Sequence, residues 1–192
     1  MNIMKKIFLI VAAAALSFTL SAQTPKFAYV NFAELVQLMP ESDGARTALQ
    51  TSSKEATETY QSMMEEYQAK YAQYQEKVAS WTPAIKDSKE KELSDLQVRI
   101  EEFKQNIQVE LQQQEAKLMA PIQEKAVNAV NKLAKEGKYV FVFDVTSMLY
   151  VDPAQATDLT PAARTALGIP ASRTLESLQA ELQNKAAEAA AK

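Results

Sequence analysis

The chain has no cysteine and no histidine, and only three of its 192 residues are glycine, at positions 44, 137 and 168. Each absence excludes a kind of chemistry. Without thiol or imidazole there is no disulfide framework, no usual zinc ligand set and no cysteine- or histidine-based nucleophilic relay. Three scattered glycines cannot build a glycine-rich phosphate loop. Neighbouring carboxylates do occur, such as Glu65 with Glu66 and Glu101 with Glu102. They fall on polar helix faces, where solvation accounts for them better than general acid–base catalysis. The residues therefore argue against an enzyme, and no metal, cofactor or small-molecule substrate is expected. Basic charge is also short, with 21 basic against 24 acidic residues, a poor footprint for nucleic acid.

What is present begins with an export signal. Lys5 and Lys6 precede an apolar run from Ile7 to Leu20, and small residues follow at Ser21 and Ala22. This is the layout of a secretory signal peptide over 1–22, too short for a membrane span. No cysteine lies near the junction, so a lipid-modified N-terminus is excluded. Removal of the segment leaves about 170 residues, with 19 basic and 24 acidic side chains and a balance of −5. Such a chain has no general attraction to an anionic membrane.

The longest feature runs over 42–136. After Gly44 it is free of glycine, and apolar or small residues recur at gaps of three and four: Leu49, Ser52, Ala56, Tyr60, Met63, Tyr67, Tyr71, Tyr74, Val78 and Trp81. That spacing is a single helical stripe. A second limb carries Leu96, Ile100, Phe103, Ile107, Leu111, Leu118, Ile122, Ala126, Ala129 and Leu133. Ser80-Trp81-Thr82-Pro83 interrupts the run between them, because proline lacks a backbone donor and disfavours a helical residue before it. The stretch therefore predicts an antiparallel helical hairpin with its tip near 80–87 and a second limb starting at Asp87 or Ser88. Each limb reaches on the order of 60 Å at about 1.5 Å per residue. Pro121 lies inside the second limb, where a bend is expected and where the hairpin returns to a packed body. Ser42 is the expected N-cap of the first limb, Gly137 the stop of the second.

The flanks read as that body. Over 23–41, Lys26 to Asn31 suits a strand, and Phe32 to Met39 a short helix ended by Pro40. Over 137–170, Tyr139-Val140-Phe141-Val142-Phe143 reads as a strand covered on both faces, Met148 to Val151 as another, and Thr160-Pro161 as the cap and first residue of a short helix. The stretch 171–192 places Leu175, Leu178 and Leu182 on one face before running into alanine. It reads as a frayed, Ala-rich tail. The fold class is thus α+β, mainly α, with a long hairpin arm on a small β-body. Three or four short strands per chain cannot hide their own edges or cover the phenylalanines. The body is therefore expected to be completed by oligomerisation through Phe27, Tyr29, Val140, Phe141, Val142, Phe143 and Leu149. A monomer with its strands packed on the hairpin base is the alternative.

In this order the pieces resemble the Skp (OmpH) family of periplasmic chaperones. The resemblance rests on Phe27-Ala28-Tyr29-Val30-Asn31, the glycine-poor hairpin, Tyr139 through Asp144, Leu149-Tyr150 and Asp158-Leu159-Thr160, and covers 26–167. It implies a homotrimer whose helical arms enclose a cavity that holds unfolded outer-membrane proteins without ATP, in the periplasm. Two features depart from the pattern. Familiar members are basic and this chain is acidic, which argues against direct capture of lipid or lipopolysaccharide, and 172–192 lies beyond the family pattern. The family carries no catalytic motif, so client contacts are read from apolar residues beside the stripe or at the tip: Met64, Val98, Val109, Trp81, Pro83 and Ile85. Trp81 and Ile85 serve equally well as the plain end of a coiled coil. A structural or adaptor protein of the cell envelope is the reading from a different class.

Overall fold

The computed structural model describes residues 25–190; the signal peptide expected over 1–22 lies outside them. A three-stranded, all-parallel sheet sits at one end, in the order β2-β1-β3, with β1 at Lys26–Val30, β2 at Tyr139–Asp144 and β3 at Ala156–Asp158. Helices α1 (Phe32–Leu38), α4 (Thr160–Ala166) and α5 (Leu175–Ala190) pack beside it, and α2 (Pro40–Lys77) and α3 (Pro83–Gly137) form the arm. Parallel strands need long crossovers. Here the crossover from β1 to β2 contains the whole arm.

Local chemistry explains most boundaries. Asn31 caps α1 by accepting from the Glu34 amide at 3.1 Å, the preferred use of asparagine there. Pro40 ends α1 and also opens α2 at its first turn, where a missing N–H costs nothing. Ser42 is consequently not the cap of α2. It is 2% exposed inside the first turn, and its hydroxyl donates back to the Val36 carbonyl at 2.5 Å. At the tip, Val78–Ser80 tightens into a 3₁₀ turn and Pro83 opens α3. The second limb thus starts four or five residues earlier than expected, because proline at the first helical position starts a helix as readily as it stops one. Helix α3 runs unbroken through Pro121 for 55 residues, about 80 Å at 1.5 Å per residue.

The end of α3 also differs in detail from the expectation. Gly137 is the last helical residue, and Lys138 takes the left-handed conformation at φ 54° and ψ 40°, its amide reaching the Ala134 and Lys135 carbonyls. Glycine suits 137 for another reason: a β-carbon there would overlap the Tyr139 ring, which would have to shift. Gly168 fills the left-handed position after α4, at φ 70°, with the Ile169 amide on Arg164 and its own amide on Thr165. That pair of bonds is a Schellman stop.

The core lies between the inner sheet face and the helices. Val30, Leu35, Val36, Leu38, Met39, Ile122, Ala126, Ala163, Leu167 and Ile169 form it, with Val142 packed against it. Three further expectations are corrected here. Met148 to Val151 is not a strand; β3 is Ala156–Asp158, held to β1 by the register Phe27 to Ala156 and Tyr29 to Asp158. Residues 172–190 are no frayed tail, because α5 buries Leu178 in the main core and rests Leu182 on it. Thr160 does not cap α4 with its hydroxyl, which accepts instead from the Asn31 amide at 3.0 Å. The Asp158 carboxylate takes the Thr160 amide at 2.8 Å.

Candidate functional site

Two surfaces hold the residues that the sequence singles out. The first is the outer face of the sheet. Strand residues alternate between faces, and β1 pairs with β2 in the register Phe27 to Phe141, Ala28 to Val142 and Tyr29 to Phe143. Ala28, Val30 and Val142 therefore face the helices, and Phe27, Tyr29, Phe141 and Phe143 share the opposite face. Phe27 and Phe141 stack with centroids 6.4 Å apart and planes within 3°, and Phe141 meets Phe143 at 5.9 Å. Phe141 is nonetheless 56% exposed. Strand β2 was expected to be covered on both faces; within one chain only the Val142 face is covered, since every helix of the body lies on that side of the core.

A register shift between Lys26 and Phe27 leaves Val140 without a partner on β1, and it is exposed. Leu149 and Tyr150, on the loop after β2, are still more open, Leu149 wholly so. All-parallel sheets ordinarily have both faces buried. This one presents stacked aromatics on its bare face, and among the described residues both outer strands lack a further neighbour.

The second surface is the arm. Its seam is thin: Leu96 and Ile100 are buried, whereas Leu49, Tyr60, Met63, Tyr67, Tyr74 and Leu111 are only half-buried. Two helices alone cannot enclose a stripe that a third layer would cover. Tyr71 leaves the seam and stacks on Tyr67 at 6.1 Å, remaining exposed. Polar contacts tie the limbs where apolar packing runs out. Gln114 donates to Ser52 at 2.9 Å, the Tyr74 hydroxyl to Glu90 at 2.5 Å, and Lys70 pairs with Glu92. Hydrogen bonds from Lys70 first, and then Lys89, hold the Glu92 carboxyl down to about 2. Of the two ion pairs expected along the limbs, Glu66 with Lys70 forms at 3.7 Å; Asp95 and Arg99 do not close within 4 Å.

The six candidate contact residues separate by place. Met64 and Val98 line one shallow groove of about 420 Å³ with Tyr67 and Ile100, Val98 being exposed and Met64 half-buried. Val109 borders a second, more polar groove of about 660 Å³ with Ser52, Gln114 and Lys117. Trp81 packs its edge against Tyr74 at 5.9 Å, so it closes the end of the coiled coil. Pro83 and Ile85 stand exposed beside it. The structure thus brings Met64 and Val98 together, gathers Trp81, Pro83 and Ile85 at the tip, and leaves Val109 apart. Among the described residues, no group of three or more carboxylates is placed to hold a metal ion, and no helix is long and apolar enough to cross a membrane.

Sequence reasoning missed the root of the arm. Asp43, in the first turn of α2, receives Arg46 and Arg173, each at 2.5 Å. Arg173 stands just before α5, so only the docking of α5 brings it there.

Comparison with known proteins agrees with this architecture. No curated relative matches the chain. A solved structure from Caulobacter crescentus CB15, titled a candidate outer membrane chaperone (OmpH-like), superposes with a TM-score of 0.66 at 14% identity, covering 77% of this chain and 86% of that one. At that identity the likeness is one of fold. The profile of the family described as outer membrane protein (OmpH-like) matches residues 26–167, from β1 through the arm to the end of α4, and the chain belongs to the OmpH-like family.

Proposed function

We propose that this protein is an ATP-independent holdase of the periplasm, a homotrimer that shelters unfolded outer-membrane proteins between its arms. One observation carries the reading: a parallel sheet with a bare aromatic face and, among the described residues, two open edges is joined to a two-helix arm about 60 Å long. Such a sheet is unfinished by itself. Copies that share strands and bury Phe27, Tyr29, Val140, Phe141, Phe143 and Leu149 complete a body, and their arms then stand side by side around a space. Val142 serves the same body from its inner face.

A chain waiting to form a membrane barrel exposes alternating apolar residues and unpaired edges, the features that drive aggregation. Shelter in a space lined by long polar helices with scattered apolar groups slows encounter with other chains. Met64, Val98 and Val109 on the arm and Trp81, Pro83 and Ile85 at the tip supply weak, distributed contacts. Methionine and tip aromatics suit partners of varied sequence. Nothing in this work consumes a nucleotide or needs a catalytic group. The signal peptide read over 1–22 supports a periplasmic location.

The test is dilution of a urea-unfolded outer-membrane barrel into buffer with the purified mature protein. Aggregation should be suppressed at about one oligomer per client, a stoichiometry read by native mass. Unchanged light scattering at several-fold excess of the protein would reject the holdase.

A further inference from the structure

The root of the arm carries a helix break in one limb and a proline in the other, and the segment after α4 lies across it. In the first limb, α1 and α2 are separated by the single buried residue Met39, held at φ −59° and ψ 138°, with Pro40 following and donating no backbone bond. In the second limb, Pro121 deletes the corresponding bond inside α3. The Glu41 to Lys125 pair and the Gln114 to Ser52 bond share one antiparallel register, which sets Pro121 opposite Ala45. The two backbone interruptions therefore lie about one and a half helical turns apart along the arm. A break in one limb and a proline in the other, on neighbouring turns, is where a two-helix arm changes direction most easily.

Across this level runs the chain from Pro170 to α5. The Arg173 guanidinium reaches Asp43 on the arm side of the break, and shares the Oδ1 atom with Arg46, which also donates to the Gln37 carbonyl at 3.2 Å. On the body side, Arg164 of α4 pairs with Glu34 of α1 at 2.6 Å and donates to the carbonyls of Pro170, at 3.2 Å, and Arg173. The Arg173 side chain is mostly covered, and its Nε is buried without a hydrogen-bond partner. Burial of an arginine in this incomplete arrangement fixes its path, because among the described residues its salt bridge within 4 Å is to Asp43. Behind it, α5 is anchored by Leu178 in the core and Leu182 against it.

We infer that residues 171–190 form a strap that sets the angle of the arm on the body, with Arg173 as its positioning residue through Asp43. The family profile matches residues 26–167, so the strap lies outside the matched region. The arm is held in one orientation by the strap and widens its range when the strap is lost. This rests on the geometry of one chain and stands whether or not the protein is a holdase.

The absence of native cysteine makes the test direct. Spin labels at Ser88→Cys, near the tip, and Ala162→Cys, on α4, report the arm-to-body distance when labelled chain is diluted into an excess of unlabelled chain. The full-length protein should give one narrow distribution. Arg173→Met should broaden it at least two-fold with helix content unchanged, Arg173→Lys should recover most of the narrow width, and Asp43→Asn should match Arg173→Met. Hydrogen exchange across 40–48 should rise about ten-fold in Arg173→Met, with the tip unaffected. An unchanged distance width in both Arg173→Met and Asp43→Asn overturns the strap. Equal broadening by the lysine variant also overturns it, since packing rather than the ionic tie would then be responsible.

Discussion

Replacement of Phe141 by alanine separates a sheet that is finished within one chain from one completed by its copies. In a single chain Phe141 is 56% exposed, so on a ring side chain of about 200 Å² some 110 Å² remain to be covered. At about 25 cal/mol per Å² that area is worth about 3 kcal/mol per protomer if neighbouring copies bury it. For a three-copy body the sum is about 8 kcal/mol, about a million-fold in the association constant. If the chain stood alone, the same substitution would remove only the contacts with Phe27 and Phe143, a loss of about 1 kcal/mol. Sedimentation velocity at micromolar concentration reads the difference. The expected result is an oligomer for the wild-type chain, a monomer for Phe141→Ala, and a melting temperature that rises with concentration only in the former. A variant with unchanged mass and a melting point lower by a degree or two would refute the shared body.

Leu178→Ala should destabilise the fold by about 2–4 kcal/mol, measured by urea unfolding; a loss below about 0.5 kcal/mol would mean that α5 does not dock. Lys138→Gly should stabilise by about 0.5–1 kcal/mol, because it removes a side chain from the left-handed region at the end of α3, and thermal melts decide. Gly168→Ala should cost about 1 kcal/mol for the same reason in reverse. Along the arm, the Glu92 carboxyl is lowered in the folded chain, to about 2 from an ordinary 4.5. Its contribution is therefore complete above about pH 4.5 and is lost as pH falls through about 2. NMR titration should place its midpoint well below that of other glutamates and return it toward normal in Lys70→Met; an ordinary midpoint in the wild type would remove the tie.

The arm was legible because it is long. Over about eight turns the three-and-four spacing from Leu49 to Val78 has no alternative to a helix, and Pro83 marks the turn whichever side of it the second limb begins. The strand Phe27 to Val30 and the run Tyr139 to Phe143 were equally readable from β-branched and aromatic residues. Met148 to Val151 has the same composition and is a loop, with Leu149 and Tyr150 outward, whereas Ala156–Asp158 has little strand character and pairs with β1. Pairing is settled by which segment the returning chain brings beside Phe27, and composition carries no such information. The acidic balance, lack of thiol and imidazole, helical arm and apolar strands were determined by the sequence alone, since each depends on residue type or on spacing within one element. The tertiary structure decided that the phenylalanines share one bare face, that Leu178 belongs to the core and that Arg173 meets Asp43. Those are contacts between segments separated by more than a hundred residues, and their energies exist only once the chain has closed on itself.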